Sequence, residues 1–188
     1  MNWLRDYLPP KALVLDSSAL INIFGCGASE QVFSSMRFPC LVEDKVLAEI
    51  VRHPVPGFSH VAAINALIQS GRIEPSRMDA REYETFVSMS QALLVKRLGA
   101  GESAALAVAF HRDLAIVLDD NKARTARAAL FPKVEMISSL KLLLSASVRV
   151  GWSKGFLGEV IFAALRNSRM GVPRDEKALL NDVLDELG

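Results

Sequence analysis

Leu114-Ala115-Ile116-Val117-Leu118-Asp119-Asp120-Asn121 is the stretch whose reading decides the fold. An unbroken apolar run closed by turn-forming residues predicts a short strand buried on both faces. The acid pair and Asn121 end it, and Lys122 to Leu130 continues as a helix. Upstream, Ala100-Gly101-Glu102-Ser103 opens an alanine-rich helix reaching about Arg112. A buried strand between two helices belongs in a parallel sheet, because parallel neighbours need crossover connections and helices to cover both faces.

The same alternation continues outward. Ala12 to Leu15 reads as a buried strand, stopped by Asp16-Ser17-Ser18 and followed by a helix, Ala19 to Phe24, ending at Gly25. Pro39 to Val42 reads as a second strand. A helix from Lys45 to Arg52 is stopped by Pro54 and Pro56, and another from Val61 to Ser70 has Gly71 just past its end. Arg72-Ile73-Glu74 is a brief strand. Asp79-Ala80-Arg81-Glu82 resembles a capping box opening a long helix through Leu98, closed by Gly99. Val134 to Ile137 is the last core strand, and the remainder reads as mostly helical. The fold class is therefore α/β with a mostly parallel sheet, in which ligands bind outside the carboxyl ends of the strands.

Composition narrows the function. The 188 residues are 51% hydrophobic and carry 22 Lys and Arg against 21 Asp and Glu, which excludes a disordered or uniformly basic chain. The near-zero balance is uneven, however. Residues 121–169 hold nine basic and two acidic residues, whereas 170–188 hold two basic and five acidic. Cys26 and Cys40 form neither a disulfide framework nor a metal-ligand pattern. No apolar stretch approaches the ~20 residues of a membrane span, and Met1 to Pro10 lacks a signal-peptide core. A cytoplasmic protein with reduced thiols and no membrane association is expected.

Individually, the acids at the strand and helix ends have ordinary structural readings. Asp16 and Asp119-Asp120-Asn121 suit helix N-caps, Glu102 sits in a first turn that favours anions, and Glu49 fits a solvated position on an amphipathic helix. Collectively they carry more. Asp16 and Asp119 end two buried strands, and Glu102 opens the helix before the second. Clustered carboxylates are costly without a cation, and oxygen-only ligands select a hard ion such as Mg²⁺ or Mn²⁺. Such an ion suits phosphodiester hydrolysis. Lys122, Arg124 and Arg127, on the helix after the acid pair, are candidate phosphate contacts. His53, His60 and His111 lack ligand spacing, Ser17 and Ser18 lack a nucleophile-elbow setting, and Trp152 and Phe156 beside Lys154 read as packing.

Four motifs, in order, resemble the PIN-domain family. They are Leu13-Val14-Leu15-Asp16-Ser17-Ser18-Ala19-Leu20-Ile21, then Lys45-Val46-Leu47-Ala48-Glu49-Ile50, then Gly101-Glu102-Ser103-Ala104-Ala105-Leu106-Ala107-Val108-Ala109, and Val117-Leu118-Asp119-Asp120-Asn121-Lys122-Ala123-Arg124. The resemblance covers roughly residues 11–145. It implies a three-layer α/β/α fold and an Mg²⁺- or Mn²⁺-dependent ribonuclease, with Asp16, Glu49, Glu102 and Asp119 as the acidic quartet. Asp16, Glu102, Asp119 and Asp120 are the metal-ligand candidates, with either Asp119 or Asp120 inward and Asp119 favoured. Ser17 or Ser18 would support the site by hydrogen bonding, and Ser17 is a candidate substrate contact.

The chain also resembles the VapC-like prokaryotic toxins, with a helical C-terminal extension, so that 1–146 would form the PIN-like domain and 147–188 the extension packed on it. That implies RNA as substrate, a small antitoxin offering a helix and a basic side chain, and a homodimer. The rival expectation is a non-catalytic module of the same fold that binds RNA or a partner protein.

Overall fold

The computed structural model describes residues 3–51, 60–91 and 97–187, with the side chains of Val51 and Leu187 excepted. Five strands, β1 (Leu13–Leu15), β2 (Cys40–Glu43), β3 (Ile73–Ser76), β4 (Ala115–Val117) and β5 (Met136–Ile137), form one sheet of order β3-β2-β1-β4-β5. Every neighbouring pair is parallel, with Val14 opposite both Leu41 and Ile116.

Strand periodicity divides the core in two. Leu13, Leu15, Val42, Ala115 and Val117 face one apolar cluster, and Val14, Leu41, Ile116 and Leu118 face the other. Helices α1 (Ser17–Gly25), α2 (Ser29–Ser34), α3 (Asp44–Val51) and α4 (Val61–Gln69) contribute to the first cluster. So do α8 (Ser139–Val150), α9 (Lys154–Asn167) and α10 (Lys177–Leu187). The second is covered by α5 (Ala80–Ser90), α6 (Ala100–His111) and α7 (Asn121–Leu130). The result is a three-layer α/β/α domain. Among the described residues no helix is long and apolar enough to cross a membrane.

Strand order fixes where a ligand goes. The chain runs β1, β2, β3 towards one edge, then returns to place β4 on the other side of β1. The β1/β4 boundary is a topological switch point, where successive connections leave in opposite directions and open a crevice at the carboxyl ends. Asp16 and Asp119 sit just past those two ends.

Three local expectations change. The helix from Asp79 has its capping box, with Asp79 accepting from Glu82 N and Glu82 from Asp79 N, both at 2.8 Å, but it ends at Ser90. Residues 97–99 are not helical, and 92–96 lie outside the described residues. Near that end Ser88 and Ser90 donate their hydroxyls to the carbonyls of Thr85 and Val87, contacts that compete with helix continuation. The six-residue α2 lacks a side-chain cap, so no local signal announces it. A 3₁₀ turn at Arg174–Glu176 precedes α10 and carries a buried glutamate. The proposed stop at Pro54 and Pro56, and His53 with it, lie outside the described residues.

The C-terminal helices are bound to the sheet layer. α8 runs without a break through residue 146 and ends at Gly151 in the left-handed region (φ 76°). α9 packs on α1, and Val160, Ile161, Ala164 and Val183 are buried in the first cluster. Trp152 meets Phe156 edge-on at 5.3 Å and donates to Gln31 Oε1, a packing role.

Candidate active site

Asp16 is fully buried at the end of β1. It caps α1 by accepting from Ala19 N at 2.7 Å and also accepts from Ser18 Oγ. Asp119, 5% exposed, accepts from Ser139 N at 2.8 Å and Ser139 Oγ at 2.5 Å. Asn22 Nδ2 donates at 2.8 Å to the same Oδ2 that accepts from Ser139 Oγ. Asp120 is exposed and caps α7 through Ala123 N at 2.9 Å, so Asp119 is the more buried of the pair, and both border the same crevice. Glu102 reaches back to Gly99 N at 2.9 Å, holding the first turn of α6 against the same crevice.

A cavity of 360 Å³ opens there, lined by Ser18, Asn22, Glu102, Asp119, Asp120 and Arg169 among others. Its electrostatics follow from burial and crowding. Burial, then the charges of Asp119 and Glu102, push the Asp16 carboxyl up to about 7. Burial likewise raises Asp119 against the pull of its hydrogen bonds. Glu102 is raised by burial and by Asp120 and Glu49, with Lys122 opposing. Asp16, Asp120 and Glu102 thus serve as helix caps and stand with Asp119 among the carboxylates at the switch point.

Glu49 stands to one side. Its Oε1 accepts from Gly101 N at 2.9 Å, and its other oxygen accepts from Ser17 Oγ. With Glu49 and Ser17 in these positions only glycine fits at 101, because an added Cβ would lie 2.5 Å from both Glu49 Oε2 and Ser17 Oγ. Glu49 is exposed and can swing out. Gly101→Ala is therefore expected to evict it while changing stability by less than about 1 kcal/mol, helix propensity offsetting the lost contact. A larger shift in the denaturation midpoint would contradict this picture of a side chain free to leave.

Oxygen donors with lone pairs to spare fit a hard divalent ion in kind, since an ionised carboxylate offers about four acceptor positions. They do not form a ready-made cage. Among the described residues, no group of three or more His, Cys, Asp or Glu is spaced to hold a metal. The acids share an edge while spending several oxygens on backbone and hydroxyl donors.

The basic candidates move furthest from expectation. Arg124 is 8% exposed and donates to Leu118 O at 3.1 Å, Asp175 at 3.0 Å and Glu176 at 3.3 Å. Its guanidinium ties α7 to the turn before α10 rather than facing the crevice. Arg127 donates to Val134 O at 2.6 Å. Lys122 remains exposed, bonded to Arg97 O, with its charge near Glu102. His60 stacks on Phe24 at 4.6 Å and His111 meets Thr85 at 2.9 Å; neither lines the cavity.

Residue-by-residue reading passed over Asn22, Ser139 and Arg169. For Asn22 a signal existed, since Ser18 and Asn22 are four apart and form a polar stripe on an apolar helix. Ser139 and Arg169 reach the crevice only through tertiary placement.

A buried parallel sheet between helical layers, with carboxylates gathered beyond two adjacent central strands, defines an acid-lined α/β/α domain. A family model described as the PIN domain matches residues 12–178, and the chain belongs to that family. Membership brings a nuclease-type function in general terms, in a family that typically uses divalent metal ions. No curated protein and no solved structure gave a match.

Proposed function

We propose that the protein is an Mg²⁺- or Mn²⁺-dependent endoribonuclease that hydrolyses RNA phosphodiesters. The observation carrying this reading is the meeting of Asp119, Asp120 and Glu102 around one cavity at the β1/β4 switch point, with Asp16 buried close enough to feel the charges of Asp119 and Glu102. Asp16, Glu102, Asp119 and Asp120 would hold the ion, and Glu49 completes the acidic set with Asp16, Glu102 and Asp119. A divalent ion bound there supplies charge neutralisation at the phosphate and a more acidic water.

The chain's own residues do the rest. Ser139 and Asn22 orient Asp119, Ser18 orients Asp16, and the Gly99 amide holds Glu102. Ser17 holds Glu49 at the rim, and Lys122, exposed on α7 with its charge near Glu102, is a phosphate contact in this reading. No side chain is set up as an activated nucleophile, so direct attack by water is expected. The motif resemblance further supports a cytoplasmic toxin of a toxin–antitoxin pair, a small antitoxin partner and a homodimer. It also supports reading residues 147–188 as a helical extension on the 1–146 domain.

Cleavage of RNA with Mn²⁺, compared across wild type, Asp16→Asn and Glu102→Gln, tests the reading. Losses on the order of a hundredfold or more are expected, at least the scale seen when metal-site support is removed. Equal activity in all three proteins would remove the assigned chemistry. The engaged oxygens of Glu49 and Asp119 favour a second reading, a module that binds RNA or a partner without cleaving. Calorimetry showing RNA binding without Mn²⁺ binding would select it.

A further inference from the structure

Four of the nine basic residues of 121–169 form ion pairs with described acids. Arg124 and Lys141 meet Glu176, Lys154 meets Glu186, and Arg149 meets Asp6. Of the other five, Arg169, the last residue of that block, is the one that lines the acid cavity. It is exposed and forms no ion pair with a described residue.

Its backbone adopts φ 53°, the left-handed region that glycine fills at least cost and that helix ends commonly require. An arginine kept there bears strain that glycine would relieve, and what it adds is a guanidinium. The loop carrying it is tied at both ends. Asn167 Nδ2 donates to Gly25 O at 2.9 Å, Met170 is buried with its N–H on Ala164 O, and Arg174 N donates to Asn121 Oδ1 at 3.2 Å. Gly25 is itself required for this seating, because a Cβ there would lie 2.2 Å from Ser168 Oγ. The segment after α9 is thus pinned to the end of α1 and the start of α7, the two helices that leave the switch point, with Arg169 between them.

We propose that Arg169 is a substrate-binding residue that takes a phosphate of the RNA backbone across the cavity from the carboxylates. A guanidinium presents a planar fork matched to phosphate oxygens, and its charge offsets the repulsion between a polyanion and an acidic cleft. This inference rests on the ribonuclease reading and deepens it, assigning the C-terminal segment a direct part in holding RNA.

The test compares wild type, Arg169→Gln, Arg169→Lys and Arg169→Gly. Binding of fluorescent oligouridine is followed by anisotropy in EDTA over a salt series, alongside KM and kcat for cleavage with Mn²⁺. Arg169→Gly keeps the backbone geometry without the charge, so its behaviour separates loss of the guanidinium from loss of fold. Gln and Gly variants are expected to bind about tenfold more weakly, a discharge worth about one charge-assisted contact. Their log–log salt slope should fall by about 0.7, the single-strand value for one phosphate. KM should rise with kcat nearly kept, and Lys should restore the slope. Unchanged affinity and slope in the Gln and Gly variants, with Asp16→Asn still inactive, would overturn the role of Arg169 and leave the nuclease standing. Faster cleavage in Arg169→Gln would overturn it too, marking the cation as a block on the cleft. Wild type that neither binds nor cleaves RNA would overturn both.

Discussion

Glu176→Ala is expected to cost about 3–5 kcal/mol of folding stability, the scale for removing one partner from a buried ion network. Glu176 is 3% exposed and accepts from Arg124, Lys141 at 3.0 Å and Ser138. Its loss strands a guanidinium that is nearly as buried, leaving it Leu118 O and the exposed Asp175. Ser138 is also the N-cap of α8, accepting from Lys141 N at 3.1 Å. The next residue, Ser139, holds Asp119. The damage should therefore reach the site through the start of α8. Glu176→Gln, which keeps shape and hydrogen bonding, should cost less. In a double-mutant cycle, Arg124→Met combined with Glu176→Leu should be milder than the sum of the single changes, because both charges leave together. Urea denaturation of the four proteins checks this, and additive losses would show that the two side chains do not act as a unit.

That network also marks where sequence reading stops. β1, β4 and the helices after them were legible because apolar runs ending in Asp, Ser and Asn are local signals, and the parallel sheet follows from their alternation. That Asp16 and Asp119 each end a buried strand followed from the same pattern, whereas the adjacency of those strands is set by the crossover topology. Arg124 was misread because its partners, Asp175 and Glu176, lie 51 and 52 residues further on. Nothing local distinguishes an arginine that faces solvent from one that folds inward to a distant acid. The contrast between a basic 121–169 and an acidic 170–188 was visible, but composition alone does not say which charges meet. Arg169 shows the converse, since its position over the cavity depends on two anchors far away in sequence.

In the metal-free protein, stability is expected to fall as pH rises through the range set by Asp16. Its carboxyl is pushed up to about 7 in the fold from an ordinary value of 3.8. Between those values the folded chain retains a proton that the unfolded chain has released, so raising pH favours unfolding. The contribution is fully present below the unfolded value and is lost as pH climbs to the folded one. The shift corresponds to about 4 kcal/mol, at about 1.36 kcal/mol per pH unit, with more than half of it falling between about pH 5 and about pH 8. Asp119 and Glu102, which face Asp16 and are themselves raised, titrate with it as a coupled set. Carboxylates elsewhere push the other way: Glu82, raised by burial, is carried below its ordinary value by Arg112. The relevant quantity is therefore the difference between wild type and Asp16→Asn, a change that keeps an N-cap for α1. Measured in EDTA, that difference should move against wild type as pH rises, and parallel curves would refute the assignment. Adding Mn²⁺ should reverse the trend, since an ion that binds the ionised acids stabilises the fold in proportion to their ionisation. The gain in midpoint should thus be larger at about pH 8 than at about pH 5. An ion-independent midpoint at the higher pH would mean that the gathered acids carry their repulsion without a cation to relieve it.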